Sequence, residues 1–317
     1  MSELKHYYDM QKFSTTGLLE FPACETMIEG MKTLYKKERL ITTYIPNIVY
    51  QECDGRQLKI QIVKPMTHPL MATEEKKQYP LIVLIPGSGW KKQNDYKFVP
   101  NLVKLAERGF VVASVEYRPS DYAIFPAQIL DTKAAIRFLQ EHAGEYEIDK
   151  ENVIIFGDSS GGHTALMVGY TQGTSMLEED GQSHDYGIKG VIDWYGPVDI
   201  LKLREEPSLY ADRSSAASNE GAFVGTDVNA HPELAEPTIV TNYITKEREI
   251  PPTLIFHGTR DGVVHFEQSV ILYQKLREEG KQVEFYRMVD GIHGGGEFWD
   301  DEVMDIMSDF AHKALNK

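Results

Sequence analysis

Apolar residues in this chain come in short unbroken runs, set between longer stretches where they recur every three or four positions. The runs are LIVLI at 81–85, FVVASV at 110–115, VIIF at 153–156, GVIDWY at 190–195 and TLIF at 253–256. They are rich in β-branched residues and lack polar alternation, which predicts strands covered on both faces. Between them, Ala127, Leu130, Ala134 and Phe138 mark one helical stripe. Phe266, Val270, Tyr273 and Leu276 mark a second, stopped by Gly280, and Val303, Ile306 and Phe310 a third. Two earlier segments, IVYQ at 48–51 and LKIQIV at 58–63, alternate instead. They predict an antiparallel hairpin at the sheet edge, turning at Asp54–Gly55. The expected class is α/β, a mostly parallel twisted sheet with helices on both faces.

Two regions stand outside this alternation. Residues 1–44 precede the sheet and are expected to be an extension that forms part of a lid or a dimer contact. Residues from about 200 to 250 separate two core strands and are rich in Ser, Ala, Asn and acids. A connection that long predicts a lid inserted into a main domain spanning 45–317.

Composition narrows the partners. The net charge is −15, from 48 acids against 33 bases, which repels phosphate backbones and anionic membranes. No nucleic acid and no membrane partner is expected. Cys24 and Cys53 supply neither a disulfide framework nor a four-ligand zinc site. The opening MSELKHYYDMQKFSTTG lacks a signal-peptide core, and no run nears the roughly 20 apolar residues of a membrane span. A cytoplasmic protein without metal or organic cofactor is the expectation.

Chemistry concentrates in IIFGDSSGGH at 154–163. Ser159 has glycines two residues to either side, Gly157 and Gly161, whereas Ser160 does not. A strand precedes it and a helical pattern follows, so Ser159 has the setting of a nucleophile on a sharp strand-to-helix turn. The Ser160 N–H, at the helix start, can donate to a developing oxyanion. LIVLI runs into PGSGW, where the N–H groups of Ser88 and Gly89 are candidate second donors. Asp261 follows strand TLIF and is the candidate acid, with Asp193 and Asp199 read as structural. His293, in DGIHGGGEF, is the candidate base; His257 is read as a strand-end packing residue and His265 as surface. Arg118 and Asp131 are expected to pair within the scaffold, His163 to pack behind the nucleophile, and Asp158 to supply charge at a helix N-terminus.

With these blocks assembled, the sequence resembles the α/β-hydrolase superfamily, and within it the carboxylesterases of the hormone-sensitive-lipase type and the acetyl-xylan and feruloyl esterases. The likeness runs from about Ile45 to the C-terminus. It rests on PGSGW, EYRPSDYAIFPAQILDTKAAIRFL, GDSSGGH, DWYGPVD, HGTRDGVVHFEQS and GIHGGGEFW. It implies Ser159 as nucleophile, Asp261 as acid, His293 as base, and Ser88, Gly89 and Ser160 as oxyanion donors. Pro86 and Ser88 depart from the His-Gly-Gly opening of the family loop.

The resulting expectation is a serine carboxylesterase acting on a small-molecule ester with a short acyl group, acetylated sugars among them. An arylformamidase or a small peptidase would use the same triad. A silent hydrolase fold kept for binding is the reading from another class. Trp90, Trp194 and Tyr195 follow strand ends and are candidate substrate contacts, against the alternative that they fill the core beneath the lid.

Overall fold

The computed structural model describes residues 24–35, 40–66 and 77–316. The expected extension over 1–44 therefore lies largely outside the described residues. Eight strands form one sheet: β1 (Ile41–Cys53), β2 (Arg56–Met66), β3 (Tyr79–Ile85), β4 (Val111–Val115), β5 (Ile148–Asp158), β6 (Ile188–Trp194), β7 (Thr253–Gly258) and β8 (Val283–Met288). Their spatial order is β1-β2-β4-β3-β5-β6-β7-β8. β1 and β2 form the antiparallel hairpin, and β2 pairs antiparallel with β4; all further pairs are parallel. Cys53 faces Arg56 across a turn whose two central residues, Asp54 and Gly55, both have positive φ. That geometry matches the twist of the strands it joins.

Longer helices cover both faces: α1 (Val99–Ala106), α2 (Ala127–Glu141), α3 (Ser160–Thr171), α5 (Glu267–Glu278) and α6 (Asp301–Leu315), with the shorter α4 (Asn219–Val224) in the β6–β7 connection. The continuous apolar runs are explained by this double cover. Leu81, Val83 and Ile85 of β3 pack in one cluster with residues of α2, α3 and α5. Ile82 and Leu84 point the other way, into a cluster with residues of α1 and α6.

Helix α2 forms where expected but turns a different face inward. Ile129, Ala135, Ile136 and Leu139 are buried, whereas Leu130, Ala134 and Phe138 are half-exposed. The reason is that polar residues go inward with partners. Gln128 donates to the carbonyls of Arg118 and Ala123. Asp131 receives the Arg118 backbone N–H at 2.8 Å and its guanidinium at 2.8 Å. Lys133 lies 2.6 Å from Glu178, and both side chains are sealed from solvent. An apolar stripe read from sequence misses a face whose polar groups bring their own counter-groups.

The β6–β7 connection packs against the sheet's C-terminal edge, and three of the contacts that pin it lie near the end of β5 and the loop after β7. Phe223 of α4 stacks on Trp90, with centroids 4.2 Å apart. His163 of α3 donates through Nε2 to the Thr238 carbonyl at 2.8 Å, and burial, partly offset by this bond, pushes its imidazole down to about 4. The Leu209 N–H donates to the Gly262 carbonyl at 2.7 Å. Among the described residues no helix is long and apolar enough to cross a membrane.

The Lys133–Glu178 pair gives a stability test. Removing one partner of a sealed ion pair costs about 3–5 kcal/mol, because the other charge is left buried. Lys133→Met should lower the urea-derived unfolding free energy toward that order, less what the Tyr186 hydroxyl and the Arg137 guanidinium on the other Glu178 oxygen retain; a loss under about 1 kcal/mol would show that those two partners suffice for Glu178.

Candidate active site

Strand β5 ends at Asp158 and α3 begins at Ser160, so Ser159 alone makes the turn. Its φ of 54° and ψ of −127° are costly for a residue with a Cβ. Its backbone is held in place: the N–H donates to the Trp194 carbonyl at 2.8 Å, and its own carbonyl accepts from His163 N–H at 3.1 Å. The flanking glycines are needed for space. A Cβ on Gly157 would collide with the Gly161 carbonyl, and one on Gly161 with the Ile85 carbonyl.

Three loops meet at this turn. Asp261 follows β7 and His293 follows β8, and the structure brings both to Ser159. The Ser159 hydroxyl lies 2.9 Å from His293 Nε2, and His293 Nδ1 lies 2.7 Å from Asp261 Oδ2. Asp261 Oδ1 accepts from the Val263 and Val264 N–H groups at 2.8 and 2.9 Å. Burial pushes the Asp261 carboxyl up, but contacts from His257 and His293 outweigh it and hold the group well below the ordinary carboxylate range. An ionised Asp261 fixes the proton on Nδ1 and leaves Nε2 free to accept from the hydroxyl.

His257 does more than pack at a strand end. It is sealed from solvent, bonded through Nδ1 to the Ser269 hydroxyl at 2.7 Å and through Nε2 to the Val264 carbonyl at 2.9 Å. The same Nε2 stands 3.3 Å from Asp261 Oδ2, so it braces the carboxylate from behind. The sequence signal was its spacing four residues before Asp261, at the end of the strand that leads into the Asp261 loop.

The PGSGW loop corrects one expectation. The Ser88 N–H is not available as an oxyanion donor, because it already donates to Ser160 Oγ at 2.9 Å. The Ser88 hydroxyl donates to the Lys91 carbonyl at 2.6 Å and lies 3.2 Å from the Tyr117 hydroxyl. Ser88 and Ser160 thus shape the loop with their side chains. Among the described residues nothing accepts from the amides of Gly89 or Ser160, and both residues line the cavity beside Ser159. Asp158 also has a different role from a helix-end charge. Its Oδ1 accepts the Gly87 N–H at 2.7 Å, tying the loop to the end of β5.

The aromatic candidates divide. Trp90 lines the cavity, with a φ of 56° and its ring stacked on Phe223. Trp194 is not a substrate contact: it is fully buried among Phe156, Phe298 and Trp299. Strand alternation turns its side chain beneath the sheet edge, away from the cavity. Tyr195 is also buried, and its ring packs 4.6 Å from that of His293, so it supports the imidazole from outside the cavity lining. Sequence reading missed Leu203, Tyr210, Arg213, Asn219 and Glu220, all contributed by the β6–β7 connection. Nothing in their local pattern marks them.

Asp193 and Asp199 take structural positions. Asp199 caps a short helix, accepting from Leu201 and Lys202 N–H. Asp193 is sealed beneath α3, with Oδ1 accepting the Gly196 N–H at 3.0 Å and Oδ2 without a partner among the described residues. Burial pushes its carboxyl up to about 7, the Gly196 bond opposing only in part. Between its ordinary value of 3.8 and about 7, the native state keeps a proton that the unfolded chain has released. Native stability therefore falls as pH rises through that window, by up to about 1.4 kcal/mol per pH unit. Asp193→Asn keeps the acceptor and removes the ionisation. Its unfolding free energy relative to wild type should improve as urea titrations move from about pH 5 to about pH 8; a constant difference would refute the buried-acid reading.

The BD-FAE family profile matches residues 70–276. Esterase LipC of Mycobacterium tuberculosis is 26% identical over 221 residues, covering 69% of this chain and 53% of that protein. The chain spans about half the length of the curated relatives it matches first. Among solved structures, a truncated form of a carbohydrate esterase from gut microbiota superposes with a TM-score of 0.72 at 31% identity, covering 87% of this chain and 97% of that one. A thermophilic esterase from Thermogutta terrifontis shares the fold, with a TM-score of 0.65 at 23% identity over 84% of this chain and 91% of that one.

Proposed function

Because the chain belongs to the BD-FAE family of α/β hydrolases, we propose that it is a serine esterase that releases short acyl groups from small alcohols, acetylated sugars among them. The observation that carries this reading is the hydrogen-bonded series from Ser159 through His293 to Asp261, opening on a cavity of about 260 Å³. A space of that size suits a short acyl group with a compact alcohol. The gut carbohydrate esterase, alike in fold and in nearly a third of its residues, supports the sugar-ester part.

In this mechanism His293 takes the Ser159 proton through Nε2 as Oγ attacks the ester carbonyl. Asp261 stays ionised and stabilises the imidazolium. The tetrahedral oxyanion is received by the amides of Gly89 and Ser160, a pair in which each donor contributes on the order of 10²–10³ in kcat. His293 then returns the proton to the departing alcohol, leaving an acyl group on Ser159. A water, activated by the same imidazole, releases the acid and restores the hydroxyl.

Ser159→Ala should lower kcat on p-nitrophenyl acetate by at least about 10⁴-fold. A fluorophosphonate should phosphonylate Ser159 with loss of fluoride, adding the mass of the phosphonyl group to the peptide carrying Ser159 in the wild type and to no peptide in the variant. Turnover by Ser159→Ala near the wild-type rate would overturn the assignment.

A further inference from the structure

Acyl transfer needs a hydroxyl, an imidazole, a carboxylate and two amides. The cavity has a further polar wall that this chemistry leaves unused. Glu220 of α4 and Arg213 just before it are 4% and 6% exposed, yet both line the cavity. Arg213 Nη1 donates to Glu220 Oε1 at 2.8 Å. Its Nη2 donates to Ser208 Oγ at 2.6 Å and to the Val263 carbonyl, on the loop that carries Asp261. Arg213 Nε is buried and has no partner among the described residues. Asn219, adjacent in the chain, also lines the cavity, and no described residue hydrogen-bonds its side-chain amide.

Two features mark this wall as built for a ligand. A sealed ion pair is a weak stabiliser, since desolvation offsets the attraction. Here it stands on the cavity side of the β6–β7 connection and is locked to the Asp261 loop, so its position relative to the triad is set. Gly89, meanwhile, leaves room for Asn219. A Cβ there would sit 2.8 Å from Asn219 Cγ and Nδ2, and the Gly89 φ of +64° excludes most other residues. Asn219 is therefore packed against the loop that receives the reacting carbonyl oxygen.

An apolar acyl chain has no use for an amide and a carboxylate. Neighbouring hydroxyls do, because each donates to a carboxylate or amide oxygen and accepts from an N–H. We propose that Asn219, and Glu220 held in place by Arg213, are the specificity-determining residues of the site and bind adjacent hydroxyls of a polyhydroxylated alcohol. This rests on the esterase reading and goes beyond it by saying how the alcohol is chosen.

The test compares three acetates: a mono-O-acetyl methyl xyloside with its hydroxyls free, the same compound with those hydroxyls methylated, and p-nitrophenyl acetate. The wild type should show kcat/KM at least about tenfold higher on the free than on the methylated sugar, expressed mainly in KM, a difference that hydrogen bonds to polar side chains readily supply. Asn219→Ala and Glu220→Gln should each shrink that ratio by about tenfold. A fold defect lowers both sugar rates together and leaves the ratio alone. Asn219→Ala removes no partnered group, so it decides the matter even where Glu220→Gln fails to fold. A wild-type ratio near one, with p-nitrophenyl acetate cleaved, overturns the hydroxyl subsite and leaves the esterase reading standing. An unchanged ratio in Asn219→Ala does the same. A wild type that cleaves none of the three takes down both.

Discussion

The structure depends on one close approach: backbone against backbone where β5 turns into α3. The Gly157–Gly161 contact and the Gly161–Ile85 contact leave no room for a Cβ at either glycine. That approach lets the chain reverse within a single residue and forces Ser159 into a positive φ. Strain of this kind persists only where the surroundings over-determine it. Here the Trp194 carbonyl and the His163 N–H do so, one from the neighbouring strand and one from the helix that follows. The hydroxyl is thereby presented at the C-terminal edge of the sheet, where loops from β3, β7 and β8 also end.

Around this point the polar groups are arranged in layers of decreasing freedom. Asp261 receives two backbone N–H groups on one oxygen and faces two imidazoles on the other. His293 is held between Asp261 and Ser159 and backed by the Tyr195 ring. The PGSGW loop is fixed by Asp158 at Gly87, Ser160 at Ser88 and the Trp90 stack on Phe223. Each group that would act on a substrate is thus oriented by another that would not. Orientation of this sort lowers the reorganisation required when charge develops.

Much of this was legible in the chain. The apolar runs marked the parallel strands because strands buried on both faces have no polar side to show. The hairpin was legible because its turn demands residues that tolerate positive φ. Ser159 stood apart from Ser160 because only one of them has small residues at both close-contact distances. Other features were hidden. The inward face of α2 was misread because Gln128, Asp131 and Lys133 are buried with partners that lie far off in sequence, or on a preceding loop. Trp194 looked like a rim residue, but one step along a strand reverses the side a residue faces. The Ser88 amide looked free until the Ser160 hydroxyl was placed against it.

The sequence alone determined what depends on neighbours along the chain: strand and helix order and the one-residue turn at Ser159. Local sterics govern each of these, and local sterics are written in residue types at fixed spacing. Tertiary structure decided which amides remain free, which face of α2 is buried, and which residues of the β6–β7 connection line the cavity. Those depend on groups distant in the chain competing for the same hydrogen bonds and the same space, and no local pattern records the outcome of that competition.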